Sequence, residues 1–367
     1  MTKKLHLAYL CTSLGWGGLE MNHLKNALWM KKRGFQITIV CTLNSPLHKA
    51  SKECGLSIIA IRKPSKHYAF LSAFILQRKL RSMGSMHVFV RSSADLSLSA
   101  SISFFSRKKV KIHYFMEMMF HKKKRQLFRT VRYAQLSTWV CSLEYMRAYV
   151  QDATKLNANK LKIIPSGLDF SKVSSITKKE SRASLRLSER NVYFGMIGRI
   201  DRKKRIELAI KALKLLDDST VQLLIIGEET PDTSDTYLNE LKKLISTLHL
   251  GDQVHFLGFQ KDPSPFYRAI DALIMASDFE TFGMSTIESL AHNTPVIASN
   301  AGGSRELLTK FPFGSLFHAG DHLSLSEAMR QLPNFSERPL NQQEFTNMFD
   351  HHNVCKMIET DILSSES

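Results

Sequence analysis

Short apolar runs alternate along the chain with amphipathic segments of helical period. The runs are rich in Val, Ile and Leu and are continuous, which is typical of parallel strands buried on both faces of a sheet. Helical segments between such strands indicate successive βαβ units. The predicted strands are residues 5–11, 36–41, 57–61, 87–91, 110–114, 138–142 and 162–164, then 192–197, 221–226, 254–257, 272–275 and 295–299.

The alternation stops in a polar, Ser- and Lys-rich segment and starts again at Val192. This break predicts an N-terminal domain over 1–170, a linker over 171–190 and a C-terminal domain over 191–344. A terminal helix is predicted over 345–367, packing back on the N-terminal domain. The predicted fold class is α/β, with two doubly wound, Rossmann-like domains that face each other across a cleft. In such sheets ligands bind at the carboxyl ends of the strands.

The charge of the chain is divided unequally. The net charge is +18, but residues 1–190 contain 35 Lys+Arg against 9 Asp+Glu, whereas residues 191–367 contain 16 against 24. A strongly basic domain predicts attraction to nucleic acid, an anionic membrane surface or phosphorylated substrates. The densest run is His-Lys-Lys-Lys-Arg at 121–125, followed by Arg129 and Arg132. Phenylalanines are interleaved with this basic run. We interpret the run as a surface that binds anionic lipid or a phosphorylated glycolipid acceptor.

Other features limit the class of protein. Residues 68–83 combine apolar residues with Arg78, Lys79 and Arg81, and we interpret their apolar face as ordinary core. Nowhere do about 18 apolar residues follow one another, so no membrane span is predicted. Five scattered cysteines without a C-x-x-C pair argue against a disulfide framework and a zinc site. They predict buried, reduced thiols in a cytosolic protein.

The first of three candidate loops, Gly15-Trp16-Gly17-Gly18, follows the first strand and precedes a helix predicted over 19–33. Its glycines allow close backbone approach, and the free N–H groups of the helix N-terminus can hold an anion. A tight turn without a ligand is an equally good interpretation of this loop alone. The pattern G-x-G-x-x-G is not matched and no acidic residue ends the second strand, which argues against an NAD-dependent dehydrogenase.

The second loop follows the first strand of the second domain and contains Arg199 and Lys204. These cations can neutralise a diphosphate, Arg199 as a fork and Lys204 as a point charge. Cations at a helix N-terminus oppose the helix dipole. This unfavourable placement favours a functional role over a solvated basic turn.

The third loop carries two glutamates, Glu280 just before a helix predicted to begin at Gly283, and Glu288 inside it. The N–H groups of the first helical turn can hold phosphate oxygens. One carboxylate on each side of a diphosphate suits a nucleotide sugar, because carboxylates accept hydrogen bonds from pairs of sugar hydroxyls. The spacing of the glutamates alone favours solvent exposure.

Together these motifs resemble the retaining glycosyltransferases of the GT-B fold called group 1 or family 4, of the bacterial surface-glycan kind. The resemblance rests on the E-x7-E region from Glu280 to Glu288, then on Pro-Val-Ile-Ala-Ser at 295–299, Gly302-Gly303 and Glu306. Upstream, in the family's order, stand GWGGLE, Ile-Ile-Pro-Ser-Gly-Leu-Asp, the segment with Arg199 and Lys204, LLIIGEE and VHFLG. The resemblance covers nearly the whole chain.

The resemblance implies a role for each matched residue. Arg199 and Lys204 bind the donor diphosphate, Glu280 holds hydroxyls of the transferred sugar, and Glu288 holds the ribose. The backbone that also binds the diphosphate is that of Phe282, Gly283, Met284 and Ser285. Gly17 and Gly18 let the first domain close on the donor phosphates or the acceptor.

The family also places a histidine at a strand end of the first domain. His113 matches it best and is expected to contact the transferred sugar, with His121 as a weaker match. A buried core histidine is the alternative interpretation of His113.

The chain departs from the family pattern at three places. Arg205 stands where a glycine usually follows the lysine, Ser166 replaces an asparagine, and Ala291-His292-Asn293 replaces Ala-Cys-Gly. These differences leave the phosphate geometry and the identity of the sugar open.

The implied reaction moves a sugar from a nucleotide diphosphate sugar, UDP-sugar foremost, to a hydroxyl of a lipopolysaccharide, glycolipid or polysaccharide, with retention of configuration. The two cations and the helix end stabilise the leaving diphosphate, and with no D-x-D in the chain no metal or cofactor is expected. The expected place is cytoplasmic, on the inner face of the cell membrane. The alternatives are a basic nucleic-acid-binding protein, a nucleotide-sugar epimerase of the same fold and a non-catalytic binder of sugar nucleotides.

Overall fold

A computed structural model describes residues 5–64, 69–120, 122–173, 175–229, 236–337 and 340–364. The first residue of the predicted 68–83 segment and the candidate His121 lie outside these ranges. The chain forms two compact units. The first unit extends to Gly167 and takes up the chain again from His351, and the second comprises Leu168–Asp350.

The first unit is built on a seven-stranded parallel sheet with the order β3-β2-β1-β4-β5-β6-β7. Its strands are β1 (His6–Cys11), β2 (Gln36–Thr42), β3 (Ser57–Ile61), β4 (Ser85–Val90), β5 (Lys111–Phe115), β6 (Thr138–Cys141) and β7 (Leu161–Ile163). Its helices are α1 (Gly18–Lys32), α2 (Pro46–Glu53), α3 (Phe70–Ser82), α4 (Leu96–Phe105), α5 (Leu127–Ala134) and α6 (Glu144–Ala153).

The second unit has a six-stranded parallel sheet with the order β10-β9-β8-β11-β12-β13. Its strands are β8 (Val192–Ile197), β9 (Val221–Ile226), β10 (Val254–Phe256), β11 (Ala272–Met275), β12 (Val296–Ser299) and β13 (Gly314–Phe317). Its helices are α7 (Lys178–Ser184), α8 (Ile206–Leu216), α9 (Thr236–Thr247), α10 (Ser264–Ala269), α11 (Met284–Ala291), α12 (Gly302–Lys310), α13 (His322–Arg330) and α14 (Gln342–Phe349).

Both sheets confirm the α/β, doubly wound fold class. All twelve predicted strands are present within two residues of their expected bounds, and β13 is an additional strand. In each sheet the strand order reverses beside the first strand of the unit, between β1 and β4 and between β8 and β11. Ligands of doubly wound proteins bind at such a switch point.

The bounds of the two units differ from the predicted domain organisation. Residues 171–190 belong to the second unit and contain α7. Thr177 caps this helix, since its hydroxyl accepts the Glu180 N–H while the Glu180 carboxylate accepts the Thr177 N–H at 2.7 Å. The predicted terminal helix is divided: α14 ends in the second unit, and α15 (His351–Ile358) packs against α1 of the first.

Two further expectations need correction. Cys54 is exposed, whereas the other four thiols are buried as predicted, and all five are free. The apolar residues of α3 do not all form core: Phe70, Leu71, Phe74 and Ile75 are exposed. Within the described residues no helix combines the length and the apolarity that crossing a bilayer requires.

The core of the first unit contains an uncharged histidine. His23 of α1 is fully buried against the ring of Tyr9, and neither of its nitrogens finds a partner among the described residues. Burial, reinforced by the charge of Arg91, lowers the pKa of His23 to about 3. Below about pH 6.5 this histidine is protonated in the unfolded chain but stays neutral in the folded unit. Its contribution to the free energy of unfolding is therefore complete above about pH 6.5 and is lost as the pH falls below that value.

We expect His23→Phe to reduce the acid sensitivity of the first unit. Between pH 7.5 and 5.5 the parent should lose about 1.4 kcal/mol of unfolding free energy through this residue, and the variant should not. All three tryptophans, Trp16, Trp29 and Trp139, lie in the first unit, so tryptophan emission during urea unfolding measures it. Equal pH slopes in parent and variant would contradict the assignment.

Candidate functional site

One predicted cation and one predicted carboxylate of the second unit meet at its switch point. Gly198 and the turn that follows it extend from the carboxyl end of β8, and residues 276–283 extend from that of the neighbouring strand β11. The Lys204 ammonium lies 3.3 Å from a carboxylate oxygen of Glu280, and both side chains are partly buried. Thus two residues 76 positions apart in sequence form one charged pair at the strand ends.

Two glycines make this pair possible, because they leave room for the Lys204 side chain and for the backbone of the neighbouring loop. Gly198 has φ +135°, and a Cβ there would stand 3.0 Å from Cε of Lys204. Gly227, at the end of β9, has φ +141°, and its Cβ would overlap the Gly198 carbonyl oxygen at 1.8 Å. The glycine of the LLIIGEE motif therefore lets the β8 loop lie directly against the end of β9.

Arg199 is the exposed member of the two predicted diphosphate ligands. Its side chain is 72% exposed, and its Nε lies 4.0 Å from the Asp201 carboxylate. Asp201 also caps the short 3-10 turn Arg202–Lys204 by accepting the Lys203 N–H at 2.9 Å. The guanidinium of Arg199 is thus accessible to an incoming anion, while Lys204 is held by its contact with Glu280.

Arg205, which departs from the family pattern, has a strained backbone conformation and two ion pairs that offset the strain. Arg205 adopts φ +52°, the left-handed conformation in which glycine is favoured. Its guanidinium pairs with Asp278 at 2.7 Å and with Glu207 at 3.5 Å. The ion pair with Asp278 joins the β8 and β11 loops beside the Lys204–Glu280 pair.

We expect Arg205→Gly to be more stable than Arg205→Ala by about 1 kcal/mol. Both variants lose the ion pairs, but only alanine retains the cost of a side chain at positive φ. Thermal unfolding followed by far-UV circular dichroism compares them. Equal stability of the two variants would show that the left-handed backbone at this position is not strained.

The loop that carries Glu280 is fixed by the Gly302-Gly303 pair at the start of α12. The Gly303 N–H donates to the Glu280 carbonyl at 2.7 Å. A Cβ on Gly302, which has φ +57°, would lie 2.3 Å from that same carbonyl oxygen, and one on Gly303 would lie 2.6 Å from the Phe282 carbonyl oxygen. The two motifs are thus in backbone contact.

The predicted helix after this loop begins one residue later than expected, at Met284. Gly283 is its N-cap and has φ +87°. Phe282 is buried, whereas Met284 and Ser285 are partly exposed. The first N–H groups of α11 therefore lie at the partly exposed start of a helix, next to Glu280. There they can donate hydrogen bonds to an anion.

Glu288 is held by a residue that the sequence analysis missed. The buried hydroxyl of Tyr267 on α10 donates to the Glu288 carboxylate at 2.8 Å. Burial and the Glu288 charge raise the pKa of Tyr267 well above its usual value, so its hydroxyl remains a donor. His292 stacks on Tyr267 with ring centroids 5.3 Å apart. Within the second unit the structure thus brings together Lys204, Glu280 and the start of α11, and gives Glu288 a fixed orientation.

The glycine loop of the first unit differs in part from expectation. Gly17 is the N-cap of α1 in an extended conformation, and a Cβ on Gly18 would meet nothing within 4 Å, so close approach remains possible. However, the Glu20 carboxylate accepts the Gly17 N–H at 2.9 Å. The chain's own carboxylate therefore occupies part of the predicted anion site.

His113 does not lie at a strand end. It is the third residue of β5, 2% exposed, and its Nε2 lies 3.0 Å from Nδ1 of His87. Burial and the neighbouring His87 lower the pKa of His113 well below its usual value. The predicted contact with a sugar does not fit this position, because the side chain is enclosed by core.

Polar residues that the sequence analysis did not select occupy the switch point of the first unit. Asp95, at the start of α4, accepts the Thr12 N–H at 3.0 Å and its hydroxyl. Arg91, just after β4, pairs with Glu117, just after β5, and lies 4.9 Å from the Phe115 ring centroid. The sequence signal for Thr12 and Arg91 is a polar residue directly after a buried strand, whereas Asp95 and Glu117 lie further along the loops.

Comparison with known proteins finds a sequence similarity in the second unit and a similarity of fold over the whole chain. Residues 177–346 match the family model described as Glycosyl transferases group 1. The crystal structure of Anabaena Alr3699/HepE in complex with UDP is similar over 98% of this chain and 100% of that chain, with a TM-score of 0.85 and 19% identity. At this identity the likeness shows the fold, which is GT-B.

Two curated relatives are similar over shorter segments. The alpha-monoglucosyldiacylglycerol synthase of Streptococcus pneumoniae is 28% identical over 215 residues, 56% of this chain and 47% of that protein. The lipopolysaccharide core biosynthesis mannosyltransferase LpcC of Rhizobium leguminosarum bv. viciae is 29% identical over 136 residues, 37% and 39% of the two chains. The matched segments span less than half of either relative. Residues 177–346 of this chain are thus similar in sequence to the group 1 glycosyl transferases.

Proposed function

We propose that this protein transfers a sugar from a nucleotide diphosphate sugar, foremost a UDP-sugar, to a hydroxyl of a lipopolysaccharide, glycolipid or polysaccharide. The observation that carries the proposal is the Lys204–Glu280 pair, 3.3 Å apart at the switch point beside the start of α11. Cations and helix N–H groups suit a diphosphate, and the carboxylate suits sugar hydroxyls. The UDP bound to the Anabaena protein and the lipid and lipopolysaccharide products of the curated relatives support it.

The chemistry follows from where charge develops. When the glycosidic bond to the diphosphate breaks, the leaving phosphate gains negative charge, which Lys204, Arg199 and the start of α11 stabilise. Glu280 orients the transferred sugar through its hydroxyls, and Glu288, held by Tyr267, orients the ribose. Because the protein supplies these cations, the reaction is proposed to need no metal. We propose retention of configuration by attack of the acceptor hydroxyl on the face that the phosphate leaves, with the hydroxyl proton passing to the leaving phosphate oxygen.

The proposed setting is the inner face of the cell membrane. The basic first unit would attract an anionic lipid surface and the acceptor embedded in it. The five free thiols suit a reducing compartment.

A ligand panel and a transfer assay test the proposal. A ligand that binds the native state raises the unfolding temperature, so UDP and UDP-sugars should stabilise the protein more than UMP or free sugars do. Glu280→Gln should reduce transfer by at least about 100-fold while UDP binding changes less than about threefold. The matched control is Glu327→Gln, an exposed carboxylate of α13.

The outcomes separate the alternatives. Unchanged transfer in Glu280→Gln would overturn the role of that residue. Consumption of the donor without an acceptor would indicate an epimerase or a hydrolase. Binding that ignores nucleotide sugars and persists only at low salt would indicate a nucleic-acid-binding protein. Inverted product configuration in a magnetic resonance spectrum would overturn retention.

A further inference from the structure

Three neighbouring helices of the first unit expose a continuous set of large apolar side chains. Leu71 of α3 is 73% exposed and Phe128 of α5 is 85% exposed. Phe104 of α4, Ile75 of α3 and Leu127 of α5 are also exposed. Helix α3 packs against α4, and α4 contacts α5, so these residues share one surface, which we call the α3–α4–α5 face.

A groove runs through this face. It has a volume of about 600 Å³ and is lined by Phe70, Ala100, Phe104, Phe128, Val131 and Arg132 among others. A second depression of about 560 Å³ shares Phe104 and adds Phe105, Arg107 and Lys108. Aromatic walls with cations at the edge are thus a repeated feature of the face.

The helices bury less apolar surface than their sequences permit. Of α5, only Tyr133 is buried, and its apolar residues Leu127, Phe128 and Val131 face solvent. Helix α3 buries one apolar stripe that includes Leu76 and Leu80, and exposes a second. Soluble monomers rarely expose contiguous apolar patches larger than a few hundred Å², so a face of this kind marks an interaction surface.

The segment that contains this face is strongly basic. Residues 62–143 contain 17 Lys+Arg and 2 Asp+Glu. Both acidic residues are turned inward: Asp95 is 1% exposed, and the Glu117 carboxylate pairs with Arg91 at 11% exposure. The guanidinium of Arg78 lies 4.9 Å from the ring of Phe74, at the edge of the apolar surface.

We propose that the α3–α4–α5 face docks on an anionic lipid bilayer, with its apolar side chains in the interfacial layer, lipid chains in the groove and its cations on lipid phosphates. This inference rests on the proposed attraction of the first unit to membranes and adds the face and its apolar contact. Interfacial binding needs both parts, because apolar burial supplies affinity and cations supply the preference for anionic lipid. A second copy of the chain fits less well, since an isologous contact would bring these cations together.

Vesicle flotation of the full chain tests the face. The apolar-face variant combines Leu71→Ser, Ile75→Ser, Leu127→Ser and Phe128→Ser, all at exposed positions. The matched control combines Phe259→Ser and Leu323→Ser, exposed residues of the second unit. Parent and control should bind vesicles of phosphatidylcholine with about one-third phosphatidylglycerol, and the apolar-face variant should bind at least about tenfold more weakly.

A polarity-sensitive dye locates the contact. In a Cys54→Ser background, which removes the exposed thiol, dye attached through Phe128→Cys should shift to shorter wavelength on these vesicles. Dye attached through Phe259→Cys should not shift. Raising the salt should weaken the binding of the parent without abolishing it, since only the cationic contribution is screened.

The proposal would be overturned by equal vesicle binding of parent and apolar-face variant, by equal dye shifts at the two labelled positions, or by a vesicle-free dimer of the parent that the variant lacks. The UDP-induced thermal shift should be the same in parent and variant. If UDP failed to stabilise both the parent and the variant, the proposed function would be wrong, but the conclusion about membrane docking would be unaffected. Vesicle binding that fails while UDP still stabilises the protein would overturn the docking face alone.

Discussion

Replacing Lys204 with methionine is expected to lower glycosyl transfer by about 10²–10³-fold. This is the typical loss when one preorganised group that stabilises developing charge is removed. Methionine retains the unbranched stem that passes Gly198, so the change removes charge with little change in packing. Initial rates with a saturating UDP-sugar measure the loss.

The size of this effect depends on what Lys204 faces. Its ammonium is 3.3 Å from Glu280, and a donor would bring a second anion to the same place. Without Lys204 the Glu280 carboxylate would repel the donor phosphates, so we expect the dissociation constant for UDP to rise as well. In the free protein the pair neutralises both charges, and donor binding would exchange it for contacts to phosphate and sugar.

The matched control for this prediction is Lys203→Met. Lys203 is exposed on the same 3-10 turn and has the same formal charge. If the two variants lost activity equally, the general positive potential of the turn would be responsible, and the specific role of Lys204 would be wrong. A double variant with Glu280→Gln should lose less than the sum of the single losses, because the two residues act as a unit.

The fold was predictable because buried parallel strands are continuous apolar runs. β13 was not, since its four residues begin at Gly314, directly after Phe-Pro-Phe, and the segment has the character of a turn. The structure explains that glycine: its Cβ would lie 1.9 Å from the Val296 carbonyl oxygen. Helix α7 was missed because a Ser- and Lys-rich composition outweighed a Thr177–Glu180 capping box that the sequence does contain.

Site residues were predictable where they follow the end of a strand. Arg199, Lys204 and Glu280 do so, and the structure puts the last two in contact. His113 lies two residues inside β5, and an apolar run alone does not show where its strand ends. Tyr267 could not be predicted, because its contact with Glu288 joins residues 21 positions apart on two different helices. For α3, the helical period shows which residues are apolar. It does not show which of the two apolar faces of the helix becomes buried in the fold.

The glycines of the motifs have a shared physical basis. Gly198, Gly227, Gly302 and Gly303 each lie where a Cβ would press on a neighbouring loop or on Lys204. Three of them also have positive φ, which disfavours any other residue. Motifs that are far apart in sequence therefore describe one packed backbone surface at the carboxyl ends of β8, β9, β11 and β12.

Gly302→Ala is expected to lower transfer by at least about 100-fold and to cost about 2–4 kcal/mol of unfolding free energy. The stability loss combines a side chain at positive φ with overpacking against the Glu280 carbonyl, 2.3 Å from the new Cβ. The backbone of Glu280 must move to relieve the overlap, and displacement of a positioning group by about 1 Å can cost about 100-fold in rate. Urea unfolding and initial rates measure the two effects.

Gly251→Ala is the control, because a Cβ on this exposed glycine meets nothing within 4 Å and its φ is not positive. It should retain stability and activity. Gly303→Ala tests the overlap without the left-handed backbone, since its Cβ would press on the Phe282 carbonyl at 2.6 Å and its φ is not positive. Gly302→Ala could instead lose stability but keep its rate of transfer under conditions where it is folded. The position of Glu280 would then not depend on the glycine pair, and the backbone contact between the two motifs would contribute only to the stability of the fold.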